Sequence, residues 1–217
     1  MSGAARALRE RNVRTLAALA AVFLLPVAVA FCTYYGTAWR PARHVNHGVL
    51  ILPPRPLPRI TLSRVSLDLP GVRPDAASAR EHRDGAAASG APLLGRWSLV
   101  YVGGGVCDAA CRAALYVMRQ TRLALNTDMR RVERVFLVSG GCCARSFLAR
   151  EHAGLTVLDA SGPDAKTLLE EFPRPAREHA LFVVDPLGNL MMSYDARQDR
   201  HGLLEDLKKL LRLSHIG

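Results

Sequence analysis

The chain has few cysteines, few aromatic residues and a shortage of acids. Five cysteines occur in 217 residues, and aromatic residues make up 6%. Disulfide-stapled scaffolds belong to small, cysteine-dense domains, so this composition argues against one. Asp and Glu number 19 against 29 Lys and Arg, a formal net charge of +10. The basic residues are scattered arginines with no aromatic interleaving and no recognisable binding motif, which argues against a nucleic-acid partner. Solubility accounts for the charge more simply than an acidic protein partner or an outer-leaflet surface does. There is no internal repeat, and the length suits one globular domain plus an appendage.

Charge is missing altogether from Leu16 to Tyr35 (LAALAAVFLLPVAVAFCTYY). About 20 apolar residues are enough to cross a bilayer, so this stretch reads as a transmembrane helix. Arg6, Arg9, Arg11 and Arg14 precede it against the single acid Glu10. The positive-inside rule then keeps the N-terminus in the cytoplasm and exports the rest. Tyr34, Tyr35 and Trp39 suit the far interface as aromatic anchors. A cleaved signal peptide is the competing reading. Bulky Phe31, Tyr34 and Tyr35 stand where small residues would flank a cut, which favours an uncleaved anchor. Pro26 would kink the span without forbidding it.

One cysteine, Cys32, lies inside that span, and the others fall in two clusters, Cys107 with Cys111 and Cys142 with Cys143. Cys107 and Cys111 follow the apolar run from Trp97 and a glycine turn, and they open a segment of helical periodicity. With the helix starting at Cys107, the two thiols would stack on one face of its first turn. Backbone N–H groups and the helix dipole lower a thiol pKa at such a position. The spacing suits reversible disulfide formation or capture of a soft metal such as Cu(I). The alternative is two buried structural cysteines, for which a glycine turn at a strand end is a poor location.

Five segments follow from composition and pattern: 1–14 cytoplasmic; 15–35 the transmembrane anchor; 36–69 an extended Pro-rich connector with an edge strand; 70–92 a disordered loop; and 93–217 the folded domain. Leu52–Pro58 should be extended and semi-rigid. Residues 60–69 alternate well enough for an edge strand or hairpin. In the folded domain, strands are expected at Trp97–Val102, Arg134–Ser139, Leu155–Asp159, Ala180–Val184 and Leu190–Tyr194. Helices are expected at Cys107–Leu125, Ser146–His152, Ala165–Phe172 and Gly202–Leu213. Asp185 and Gly188 read as turn-makers between the last two strands. In the last helix Leu203, Leu204, Leu207, Leu210 and Leu211 form the apolar stripe, with Glu205, Asp206, Lys208 and Lys209 outside. On their strand one of Met191 and Met192 faces the core. His82, His152, His201 and His215 read as solvent-facing. The order of elements describes an α/β thioredoxin-like sandwich behind a single N-terminal transmembrane helix.

The run Gly95-Arg-Trp-Ser-Leu-Val-Tyr-Val-Gly-Gly-Gly-Val-Cys107-Asp-Ala-Ala-Cys111 resembles the Sco/SenC copper chaperones. In that family a Gly-Lys-Trp strand leads to a CxxxC pair. The Phe182-Val-Val-Asp185-Pro-Leu-Gly-Asn segment is similar to the family's hairpin, and the anchored N-terminus and Pro-rich stretch fit as well. The resemblance spans roughly residues 45–213. The Asp185-Pro-Leu-Gly-Asn-Leu-Met-Met hairpin and the Leu-rich final helix look more closely still like the Sco-like, cytochrome-oxidase-associated membrane proteins of proteobacteria.

The resemblance implies a single-pass protein of the bacterial inner membrane with its C-terminal domain in the periplasm. It implies copper as the bound metal, and cytochrome c oxidase subunits or their assembly factors as partners. Cys107, Cys111 and His179 would be the metal ligands, and Cys107 with Cys111 the redox pair. His179 stands six residues before Asp185, nearer the hairpin than the family's histidine. The proline usual in the CxxxC loop is absent, and Gly140-Gly-Cys142-Cys143 replaces the family's acidic segment. Parallel strands bring their C-terminal ends to one sheet edge, so Cys142 and Cys143 are secondary thiols close to the first pair. They would serve as soft ligands, as resolving thiols or as packing, and a disulfide between adjacent cysteines is rare. Three functions stay open: a metallochaperone assisting oxidase assembly, a thiol–disulfide oxidoreductase without copper, and a non-catalytic accessory protein.

Overall fold

In a computed structural model the described residues are 2–36, 46–67, 92–174, 177–198, 200–214 and 216–217. The expected loop over 70–92, with His82, lies almost wholly outside them, as do Trp39 and His215. The chain divides into two compact units, Met1–Val45 and Asn46–Gly217. The first is a helix, α1 (Ser2–Gly36), with Pro26 inside it. Its stretch Arg9–Gly36 has a mean hydropathy of 2.5 and none of it is buried, so it is long and apolar enough to cross a membrane. Cys32 is an exposed, unbridged cysteine on this helix.

The second unit is a seven-stranded mixed sheet between helices. The strands are β1 (Val49–Pro56), β2 (Ser63–Arg64), β3 (Trp97–Gly103), β4 (Val132–Val138), β5 (Thr156–Asp159), β6 (Ala180–Val184) and β7 (Asn189–Asp195). Their order across the sheet is β1-β7-β6-β3-β4-β5-β2. β3, β4 and β5 run parallel, β6 and β7 form an antiparallel hairpin beside β3, and β1 and β2 close the two edges antiparallel. The helices are α2 (Ala109–Ala124), α3 (Arg145–Glu151), α4 (Ala165–Glu171) and α5 (Arg200–Leu213), with a 3-10 turn at Asn126–Arg131.

β3, β4 and β6 are apolar almost throughout because helices cover both faces of the sheet. Leu99, Tyr101 and Phe136 pack on one side with Leu115, Met118, Leu203, Leu207 and Leu211 of α2 and α5. Val100, Val102, Leu137 and Phe182 face the other side with Leu168 of α4 and Phe172. β7 is buried on alternate residues, and Met192 is the methionine that points inward. The hairpin turn is built as expected. Gly188 has φ +86°, and the Asp185 carboxylate accepts from the Leu187 and Asn189 backbone N–H groups at 3.0 and 2.7 Å.

Several expectations need correction. The Pro-rich stretch is not a free connector: Val49–Pro56 is an edge strand paired with β7. Proline lacks an N–H and is tolerated at a sheet edge, here with a register shift between Leu50 and Arg55. The strand expected within 60–69 shrinks to two residues on the opposite edge. Asp206 is buried rather than solvated, and accepts the backbone N–H groups of His47 and Gly48 at 2.8 and 2.9 Å. His152 is buried as well.

Candidate redox site

Three segments converge at one edge of the sheet. β3 and β4 are parallel, so the loops that leave them share an edge; β6 is antiparallel, so the residues that enter it lie there too. Tyr101, Gly104, Val106, Cys107, Asp108 and Cys111 line a cavity of about 300 Å³ together with Ser139, Arg177 and Glu178. Cys107 and Cys111 are joined by a disulfide, with Cα atoms 5.0 Å apart. Both residues are nearly enclosed, at 3% and 2% exposure, so neither is the more accessible of the two and the cavity is their opening.

α2 starts later than the spacing suggests. Asp108 is its N-cap, and the carboxylate accepts the Cys111 N–H at 3.0 Å. Cys107 therefore stands outside the helix, in left-handed backbone with φ +49°. A non-glycine residue held there is strained, and such strain collects at functional sites. The sequence placed Cys107 on the first helical turn and overlooked Asp108 as a cap, although Asp is among the preferred cap residues.

Polar groups surround the pair. The Tyr101 hydroxyl donates to the Glu178 carbonyl at 3.2 Å. Burial, then the charges of Asp108 and Glu178, push its pKa up to about 12, so the phenol keeps its proton. Arg112 donates to the Cys107 carbonyl at 3.3 Å and holds its guanidinium 4.8 Å from the centre of the Phe147 ring on α3. Tyr101 stands in the run that carries the resemblance but had no role assigned to it, and no motif pointed to Arg112 or Glu178; topology brings them together.

His179 sits just before β6, but the cavity is lined by its neighbours Arg177 and Glu178 and not by His179 itself. Its charge acts on Asp195, whose pKa falls to about 2 chiefly through the hydrogen bond from Arg197. Among the described residues, no group of three His, Cys, Asp or Glu side chains is placed to hold a metal ion. The expected ligand set of Cys107, Cys111 and His179 is thus brought together only in its two cysteines. Once reduced, those cysteines would offer two soft donors.

The other two cysteines lie on the neighbouring loop. Ser139 and Ala144 donate their N–H groups to the carbonyls of Gly103 and Gly105, each at 3.0 Å, which zips the loop after β4 to the loop after β3. Gly105 is required in this seam, because a Cβ there would overlap the Gly141 carbonyl. Cys142 and Cys143 are bonded to each other, the adjacent pairing that sequence reasoning discounted. Cys142 is exposed, and Cys143 is half-buried against the core that contains Cys107 and Cys111.

A mixed sheet sandwiched by helices, with a CxxxC pair at the C-terminal end of a central strand, defines a thioredoxin-like protein. Residues 97–214 match the family described as transmembrane-like, thioredoxin-like, C-terminal domain, and the chain belongs to that family. No curated protein matches the sequence. The Sco1 protein from Thermus thermophilus has a similar structure, with a TM-score of 0.52 at 15% identity over 78% of this chain and 99% of that one. Arabidopsis thaliana ScoI with copper bound gives 0.49 at 15% identity over 73% and 99%, and copper-bound yeast Sco1 gives 0.49 at 15% over 56% and 81%. The likeness to Sco1 is one of fold.

Proposed function

We propose that this is a membrane-anchored, Sco-like thiol–disulfide protein in which Cys107 and Cys111 pass two electrons to the disulfide of a partner. The observation that carries the reading is the Cys107–Cys111 disulfide in the wall of a cavity, with Cys107 held in strained backbone. In the reduced state the Cys107 thiolate attacks one sulfur of the partner disulfide. That bond breaks, a mixed disulfide forms, and one partner thiolate leaves. The Cys111 thiolate then attacks the Cys107 sulfur and releases the second partner thiolate. Two electrons go to the partner, solvent protonates its thiols, and the Cys107–Cys111 disulfide is restored.

The apolar helix and the arginines before it support an inner-membrane anchor with the domain in the periplasm. The sequence resemblance makes cytochrome c oxidase subunits, or their assembly factors, the partner class. Copper delivery is the second reading, favoured because two thiolates in one cavity wall are soft donors. Copper would be cargo, bound by Cys107 and Cys111 without His179.

The test uses the full chain in detergent. After anaerobic reduction, it is mixed in one arm with the small disulfide 5,5′-dithiobis(2-nitrobenzoate) and titrated in the other with Cu(I). With Cys32, Cys142 and Cys143 replaced by Ser in every chain, disulfide reduction that is lost in Cys107→Ser, with no tight copper uptake, supports the oxidoreductase. Stoichiometric copper uptake lost in Cys107→Ser or Cys111→Ser, without disulfide turnover, replaces it with the chaperone. A reduced chain that does neither is an accessory protein.

A further inference from the structure

The two cysteine pairs differ in exposure but share a seam. Cys107 and Cys111 are nearly enclosed, at 3% and 2%, whereas Cys142 is exposed and Cys143 is half-buried against the core cluster that contains the inner pair. The loops that carry them are hydrogen-bonded at two places, Ser139 to Gly103 and Ala144 to Gly105. A Cβ on Gly105 would approach the Cys142 Cα to 3.0 Å, so the two backbones touch two residues before Cys107. Arg112 fastens the arrangement from the other side, gripping the Cys107 carbonyl while its guanidinium lies on Phe147, four residues after Cys143. A protein-sized reductant meets the outer pair first. The inner pair opens on its cavity, the face left to the partner whose disulfide it reduces.

We propose that Cys142 and Cys143 form the electron-entry pair of a two-disulfide relay that recharges Cys107 and Cys111; this rests on the redox reading of the inner pair. The reductant is a dithiol protein. One of its thiolates attacks the Cys142–Cys143 bond to form a mixed disulfide, and its second thiolate resolves that bond. The reductant leaves oxidised and Cys142 and Cys143 become thiols. The Cys143 thiolate, packed against the core, then attacks the Cys107 sulfur and expels the Cys111 thiolate, leaving a Cys143–Cys107 bond between the loops. The Cys142 thiolate attacks the Cys143 sulfur and releases Cys107. Cys142–Cys143 is again a disulfide, the inner pair is a dithiol, and two electrons and two protons have moved inward.

The experiment follows the redox state of Cys107–Cys111 in the full chain, with reduced thioredoxin as the dithiol-protein probe and tris(2-carboxyethyl)phosphine as the small reductant. In Cys142→Ala/Cys143→Ala, reduction of the inner pair by thioredoxin should slow by at least roughly tenfold, while reduction by the phosphine stays at the wild-type rate. Cys111→Ser/Cys142→Ser removes both thiols that could break the inter-loop bond, so mild oxidation should lock Cys143 to Cys107 and join the tryptic peptides Trp97–Arg112 and Val135–Arg145. An unchanged thioredoxin rate in Cys142→Ala/Cys143→Ala, or no joined peptides from Cys111→Ser/Cys142→Ser, overturns the relay while leaving the inner pair redox-active. Failure of the phosphine to reduce Cys107–Cys111 in the wild type overturns the redox reading itself, and the relay with it.

Discussion

The Asp108 carboxylate accepts the Cys111 backbone N–H at 3.0 Å, so the helix that carries the second cysteine is capped by the residue directly after the first. This places the cap inside the CxxxC segment. Asp108→Ala should cost about 1 kcal/mol of stability, and Asp108→Asn, which caps as well, should cost much less. Denaturant midpoints of the two variants check this, and equal losses would mean that the charge, not the cap, is what matters.

Nearly every element of the folded domain was legible because apolar runs alternate with helical periodicity from Trp97 onward. Legibility stopped where non-local partners decide the outcome. Leu52–Pro58 looks like a linker until β7 supplies an edge for Val49–Pro56 to pair with. Asp206 looks solvated until His47 and Gly48 bring two N–H groups to it. Of the site, Cys107 and Cys111 were readable from spacing. His179 was carried by the family resemblance alone, and the structure puts Arg177 and Glu178 in the cavity instead. That the two cysteine loops share an edge follows from parallel strands; their hydrogen-bonded seam rests on small glycines that carry no periodic signal.

The seam makes a steric prediction. Gly105→Ala would drive a Cβ into the Gly141 carbonyl, whereas Gly104 has open space around its Cβ position. Backbone cannot step aside as a flexible side chain can, so Gly105→Ala should destabilise by about 1–3 kcal/mol. Gly104→Ala should stay within about 0.5 kcal/mol. Thermal unfolding of the pair is the check. Equal tolerance would show that the loops separate easily, contrary to their contact.

Asp206 holds the entry of the folded unit to α5. Removing its carboxylate leaves the buried N–H of Gly48 and that of His47 without this acceptor, at a cost of about 1–3 kcal/mol for Asp206→Ala. The loss should be concentrated near β1, which begins at Val49. Amide hydrogen exchange should therefore quicken in Val49–Pro56 more than in β3 or β4. Uniform quickening across the sheet would count against a local anchor.

His152 sets a pH dependence. It is 3% exposed, and among the described residues its Nδ1 has no hydrogen-bond partner. Burial, then the charges of Arg134 and Arg119, lower its pKa from 6.5 to about 4. Between those values the unfolded chain binds a proton that the folded chain refuses, so stability rises with pH across this window. The contribution is complete above pH 6.5 and is lost progressively as pH falls to about 4. From the size of the shift, the loss amounts to at most about 3 kcal/mol. Urea midpoints measured at steps across the window should fall with acid in the wild type, and His152→Gln should flatten that fall. A variant that keeps the full acid sensitivity would assign it to the carboxylates, of which Asp195, held at about 2, titrates below the window.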